Sequence, residues 1–229
     1  LNAADVVVRL GGALIVDGAT IELKARELTV LVGPNGAGKT TLIRALAGLI
    51  PAEGRVAIAG RPLGSLAPRE RARRIAYLPQ GHVFHWPMAV AAVVALGRYP
   101  HADAFSDLTD ADRAAVERAL IAPATVPFAA RSVTTLSGGE RARVALARAL
   151  ASEAPIVLAD EPTVSLDPRH QLVVMELLQR VAHNGAAVLA IVHDLALAAR
   201  FADRLAVMDR GRLIAQGPPR EVLTPERIA

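Results

Sequence analysis

The sequence predicts an α/β fold built on a mainly parallel sheet, and three observations carry that prediction. Short apolar runs at Leu28–Val32, Ile75–Leu78, Ile156–Ala159 and Val188–Val192 have the continuous texture of strands covered on both faces. Helical periodicity lies between them, most clearly in Leu42, Ile43, Leu46 and Leu49. A glycine-rich turn joins the first buried run to that helix, so strand, turn and helix come as one unit. With 52% of 229 residues hydrophobic and 21% charged, the chain can bury a substantial core.

Taken in order, Val6–Leu10 and Ala19–Leu23 read as strands, with Gly11-Gly12 and Asp17-Gly18 as turn signals. Leu28–Val32 ends at Gly33, and the helix that starts near Lys39 stops at Gly48 and Pro51. Gly54–Ile58 and Ile75–Leu78 are further strands. The texture then changes. Helical stretches at Val90–Leu96 and Asp110–Leu120, with joints at Pro100, Pro123 and Pro127, read as an inserted, mostly helical lobe. Alternation resumes with a helix over Glu140–Leu150, the strand Ile156–Ala159, a helix over Pro168–His183 and the strand Val188–Val192. The expectation is one domain over 1–229, with 1–80 and 141–229 as its core and 81–140 as the lobe.

Charge and composition exclude several function classes. The net charge is +4, and of the 26 basic residues only Lys24 and Lys39 are lysines. The arginines are scattered and aromatics scarce, which argues against a nucleic-acid partner. The absence of cysteine excludes disulfides, thiolate chemistry and cysteine zinc sites. Apolar stretches such as Ala186–Val192 fall short of the roughly 20 residues that span a bilayer. No charged-then-apolar signal pattern opens the chain, so a cytoplasmic protein is expected, with any membrane role reached through partners.

Gly33-Pro34-Asn35-Gly36-Ala37-Gly38-Lys39-Thr40 fits G-x-x-x-x-G-K-[ST] without a mismatch, and Thr41 follows it. Glycines let several backbone N–H groups converge on one anion, and the helix that follows adds its positive end. Lys39 can reach the β- and γ-phosphates of a nucleotide, and the Thr40 hydroxyl is a hard ligand for Mg²⁺. The strand Ile156–Ala159 ends in two carboxylates. Asp160 can reach the Mg²⁺ shell, and Glu161 can orient or deprotonate an attacking water. Ser137 can cap a helix while Gly138 and Gly139 expose N–H groups at its positive end. A plain helix cap is the alternative there. One nucleotide does not need two phosphate-binding helix ends, which suggests that a second subunit supplies one.

These motifs, in this order, resemble the nucleotide-binding subunit of an ABC transporter over essentially the whole chain. Gly33–Thr41 resembles Walker A, and Ile156–Glu161 resembles Walker B. Gln80 after Tyr77-Leu78-Pro79 resembles the Q-loop, and Leu136–Glu140 the signature motif. Ser165-Leu166-Asp167 resembles the D-loop, and His193 in Ile191-Val192-His193-Asp194 the switch histidine. The resemblance implies a P-loop NTPase core with an N-terminal antiparallel β subdomain and an inserted helical subdomain. It implies that ATP and Mg²⁺ are bound, with Thr40, Gln80 and Asp160 toward the metal and Glu161, His193 and Gln80 catalytic. It implies a head-to-tail dimer with a second copy of the chain. Ser137, Gly138 and Gly139 then meet the γ-phosphate across the interface, and Asp167 contacts the partner. It further implies polytopic permease subunits, which hold the protein on the inner face of the cell membrane, and indirectly a periplasmic or extracellular substrate-binding protein. One departure stands out: Leu10 occupies the position where the family usually has an aromatic residue to stack on adenine.

Phe84-His85-Trp86-Pro87 through Ala95–His101, with Arg61-Pro62-Leu63, resembles the importer subgroup for iron–siderophore complexes, haem and cobalamin. For Trp86 and Tyr99 themselves, plain packing within the helical lobe stays open. His82, His85 and His101 lack carboxylates at ligand spacing, so iron binding by this subunit is not expected. A soluble ATPase of the same type, uncoupled from transport, and an importer of zinc or manganese are the alternative readings.

Overall fold

Two sheets organise the chain in the computed structural model, which describes residues 1–81, 84–102, 107–164 and 166–224. The first is antiparallel and contains β1 (Asn2–Leu10), β2 (Ala13–Glu22), β4 (Glu53–Ile58) and the two-residue β5 (Arg61–Pro62), in the order β2-β1-β4-β5. Its first hairpin turns at Gly11-Gly12, both at positive φ, which the two-residue turn between Leu10 and Ala13 requires. Asp17-Gly18, expected as a turn, lies inside β2. Val8 pairs with Val16 and Val6 with Ala19, so Asp17 and Gly18 together oppose Val7 in a β-bulge. The Asp17 N–H donates to the Gly211 carbonyl at 2.9 Å, and the bulge thereby ties one sheet to the other.

The second sheet adds β3 (Leu28–Val32), β6 (Ile75–Leu78), β7 (Ile156–Ala159), β8 (Ala187–Ile191), β9 (Arg204–Asp209) and β10 (Arg212–Gly217). Its order is β10-β9-β3-β8-β7-β6, and every pair is parallel except β9 with β10. The mainly parallel sheet is as expected. Side chains alternate between its faces. Val30, Val157 and Val188 pack toward Met175 and Leu178, whereas Leu31, Leu158 and Leu189 pack toward Leu42, Ile43 and Leu46.

The helices are α1 (Lys39–Leu46), α2 (Pro68–Arg74), α3 (Val90–Ala95), α4 (Asp110–Ile121), α5 (Gly138–Ala151), α6 (Pro168–His183), α7 (Leu195–Phe201) and α8 (Pro219–Val222). The lobe has its own core of Val90, Val94, Val116, Leu120, Phe128 and Val133. The boundary expected at residue 140 falls in the first turn of α5, and α5 serves both sides of it. Val144 and Ala147 enter the lobe core, while Ala142, Ala145 and Leu146 enter the sheet core. That helix also begins two residues earlier than expected, because Ser137 caps it. Among the described residues no helix is long and apolar enough to cross a membrane.

Candidate active site

The parallel register brings the site together. Leu31 is level with Ile191, Leu78 with Ala159 and Ala159 with Ala190, so the chain leaves β3, β6, β7 and β8 along one edge. Gly33, Gln80, Asp160 and His193 follow those strand ends, at the edge where ligands of such sheets bind.

The phosphate loop closes onto α1. Gly33 has a φ of +148°, and a Cβ there would collide with the Met208 carbonyl of β9, so only glycine fits. Gly38, at φ +97°, is also crowded, since a Cβ there would lie 2.7 Å from the Ile15 carbonyl of β2. Pro34, Asn35 and Gly36 are exposed, Ala37 is buried, and Thr40 and Thr41 are half-buried in the first turn of α1. The Lys39 ammonium donates to the carbonyls of Gly33 and Pro34, each at 2.8 Å. Burial lowers the Lys39 pKa, an effect opposed by the Glu161 and Asp160 carboxylates.

Asp160 is fully buried at the end of β7. The Thr40 hydroxyl donates to its Oδ1 at 2.9 Å and the Tyr77 phenol to its Oδ2 at 3.1 Å. Burial raises its pKa, and these two hydrogen bonds oppose the rise. Thr40 and Asp160 thus present hard oxygens side by side next to the loop, a donor set that suits Mg²⁺. Arg44 in turn donates from Nε to the Tyr77 oxygen at 3.4 Å. Neither Tyr77 nor Arg44 stood out in the sequence as a site residue, since only the pairing of β6 with β7 brings the phenol to the carboxylate.

Glu161 has a φ of +53°, a left-handed conformation uncommon for a residue with a side chain. Its carboxylate is gripped from both sides: Gln80 Nε2 donates to Oε2 at 2.6 Å, and His193 Nε2 lies 2.8 Å from Oε1. The three expected catalytic residues therefore meet at one carboxylate. His193 is exposed, and Asp194 after it caps α7 through the Ala196 and Leu197 N–H groups.

The remaining expected residues lie apart. Ser137 and Glu140 form a reciprocal cap on α5: the Glu140 N–H donates to Ser137 Oγ at 3.2 Å, and the Ser137 N–H donates to Glu140 Oε2 at 2.8 Å. Ser137 and Gly138 are exposed, and Gly139 sits next to Leu166. Among the described residues no hydrogen bond or ion pair joins this segment to the phosphate loop. Asp167 caps α6, accepting from the His170 N–H at 3.0 Å and lying 2.6 Å from His170 Nδ1. Ser165 and His82 lie outside the described residues. Leu10 ends β1 and is exposed, with no ring to offer a base. Trp86 (74% exposed) and Tyr99 (68%) do not pack inside the lobe but stand on its surface with Leu96. Among the described residues no three acidic or histidine side chains cluster as a metal ligand set.

Residues 16–164 match the ABC transporter family. A hemin import ATP-binding protein of Streptomyces coelicolor is 50% identical over 216 residues, which cover 94% of this chain and 76% of that protein. A cobalamin import ATP-binding protein of Halobacterium salinarum is 46% identical over all of this chain, which spans only 57% of the archaeal protein's length. Among solved structures, a dimeric ATP-binding cassette in a post-hydrolysis state bound to ADP and Pi superposes with a TM-score of 0.82 at 25% identity. That match covers 96% of this chain and 98% of the other. Identity at this level across nearly the whole length, with the family match running from the first hairpin to the segment after β7, leaves one conclusion: the chain belongs to the ABC transporter family.

Proposed function

We infer that this chain is the ATP-hydrolysing subunit of an ABC importer, and that its site works as half of a composite site shared by two copies. The observation that carries this reading is the Glu161 carboxylate, held between Gln80 and His193 beside Lys39, Thr40 and Asp160. In the inferred reaction the Lys39 ammonium and the loop N–H groups hold the β- and γ-phosphates. Water attacks the γ-phosphorus in line, the bond to the ADP oxygen breaks, and the Glu161 carboxylate takes the proton released by the water. His193 and Gln80 keep that carboxylate turned toward the attack site. Thr40 and Asp160 would hold Mg²⁺, and the Gln80 side-chain oxygen would be a further ligand. There the ion would supply positive charge against that developing on the phosphate oxygens.

Ser137, Gly138 and Gly139 belong to the phosphate site of a second copy, with Asp167 at the contact between copies. Their support is that the capped segment stands exposed and unconnected to its own chain's loop. The exposed Trp86, Leu96 and Tyr99 offer an apolar surface for polytopic permease subunits, which would hold the protein on the inner face of the membrane. Residues 81–140 would move with that contact. The names of the relatives favour haem or cobalamin as cargo over zinc or manganese, and a substrate-binding protein would deliver the cargo to the permease.

Glu161→Gln tests the core of this reading. We expect turnover to fall by roughly 10²- to 10⁴-fold, the usual share of a general base, while an ATP-bound dimer accumulates. Normal turnover, or a chain that stays monomeric at saturating ATP and Mg²⁺, would overturn it. Co-purification with a polytopic membrane protein, and uptake of labelled haem, cobalamin or ferric siderophore, test the coupling and the cargo.

A further inference from the structure

We propose that Tyr77 is a positioning residue for the metal site, orienting the Asp160 carboxylate through a directed hydrogen-bond chain that starts at Arg44. The proposal rests on the Mg²⁺ reading above and adds to it the groups that aim the carboxylate.

A buried carboxylate at the end of a strand can rotate about its Cβ–Cγ bond, and only its partners decide which oxygen faces the ligand. At Asp160 each oxygen has one partner. Oδ1 accepts from Thr40 at 2.9 Å, and Oδ2 accepts from Tyr77 at 3.1 Å. A phenol has one proton, and Arg44 determines where it points. The guanidinium has no acceptor, so its Nε–H must donate into the Tyr77 oxygen, which leaves the phenolic proton for Asp160. The chain runs from Arg44 to Tyr77 to Asp160 in one direction.

The fold supplies all three members from rigid elements. Tyr77 lies on β6 level with Leu158 of β7, and the Asp160 N–H donates to the Leu78 carbonyl at 2.8 Å, so backbone and side chain of Asp160 are both anchored to β6. Arg44 lies one helical turn after Thr40 on α1, so the donor to Asp160 Oδ1 and the group that directs the Tyr77 phenol share one helix. The Tyr77 ring packs against the core beneath the antiparallel sheet, a role that phenylalanine can take over.

Tyr77→Phe removes the donor and keeps the ring. Binding of a fluorescent ATP analogue is titrated with MgCl₂ and repeated in EDTA. For the variant we expect half-saturating Mg²⁺ to rise about tenfold, as for loss of one hydrogen bond to a charged group. Affinity in EDTA should match wild type. Arg44→Met, which leaves the phenol in place but undirected, should shift the Mg²⁺ midpoint the same way by a smaller factor, and it serves if the first variant does not fold. An unchanged midpoint in both variants, or an equal loss with and without Mg²⁺, overturns the positioning role. A wild-type protein whose nucleotide binding ignores Mg²⁺ overturns instead the metal reading on which the proposal stands.

Discussion

Two buried aspartates in this molecule are treated in opposite ways. Asp112, in the helical lobe, meets Arg98 Nε at 2.8 Å, and both side chains are less than a tenth exposed. Thr109 adds a hydroxyl at 2.6 Å and an N–H at 3.1 Å, and these bonds, with Arg98, hold the Asp112 pKa down at about 2. Asp160 is buried more completely, yet its hydrogen-bond partners are neutral hydroxyls, and burial pushes its pKa up. One carboxylate has a cation in direct contact, built in by the fold. The other is desolvated and touched only by hydroxyls, with Arg44 one step away behind Tyr77. A buried charge that the fold neutralises serves the fold, whereas one left to neutral donors marks a place where function outranks stability.

The largest effect that would break this contrast is at Asp160. Asp160→Asn should lower ATP hydrolysis at least about a hundredfold, because the charge inferred to complete the metal site is gone. Its unfolding free energy should change by less than about 1 kcal/mol in either direction, since no cation is in direct contact with Asp160 to lose a salt bridge. Denaturant titration alongside a turnover assay measures both. A variant that is strongly destabilised would mean that Asp160 is as structural as Asp112.

Asp112→Asn should behave in the reverse manner. Removing the charge leaves the buried Arg98 with only the half-exposed Glu153 as a counter-charge, which costs up to about 3 kcal/mol, while nucleotide affinity stays at the wild-type level. Arg98 also donates to the Ala151 carbonyl at 2.9 Å and to Glu153 at 3.2 Å, so the loss would loosen α4 and the end of α5 together. The pH dependence follows from the lowered pKa. The stabilisation is complete above the ordinary value of 3.8 and is lost as pH falls through about 2. Wild-type stability should therefore fall more steeply than that of the variant across this window. Acid unfolding curves of equal slope would contradict the assignment.

Neither behaviour could be read from the sequence. Ile75–Leu78, Ile156–Ala159 and Pro168–His183 were legible to the residue, because continuous apolar runs and a proline at a helix start are local signals. The phosphate loop and Glu161 were legible for the same reason. By contrast, α2 buries no residue and so leaves no periodicity to find. The hairpin of β9 and β10 and the helices α7 and α8 were also missed, although Arg210-Gly211 at positive φ marks the turn between the last two strands. Asp17-Gly18 looked like a turn because a bulge uses the same residue types. Arg98 with Asp112, and Tyr77 with Asp160, lie 14 and 83 residues apart and meet only through packing.

The smallest effect sharpens the contrast at a residue that serves both purposes. Ser137 Oγ accepts the Glu140 N–H, and Glu140 reciprocates to the Ser137 N–H, which lowers the Glu140 pKa. That cap is a stability device in the sense of Asp112, worth about 1 kcal/mol. The same exposed serine is inferred to meet the phosphates of a second copy. Ser137→Ala should thus lower unfolding free energy by about that amount and leave ATP affinity of the dilute, monomeric chain unchanged. Turnover should fall in proportion to dimer occupancy, a loss that a helix cap alone does not produce. Ser137→Asn, which keeps a capping oxygen but has no hydroxyl, separates the roles further. If stability returns but turnover at high protein concentration does not, the hydroxyl acts across the interface; if both return together, the cap accounts for the whole effect and the serine belongs with Asp112.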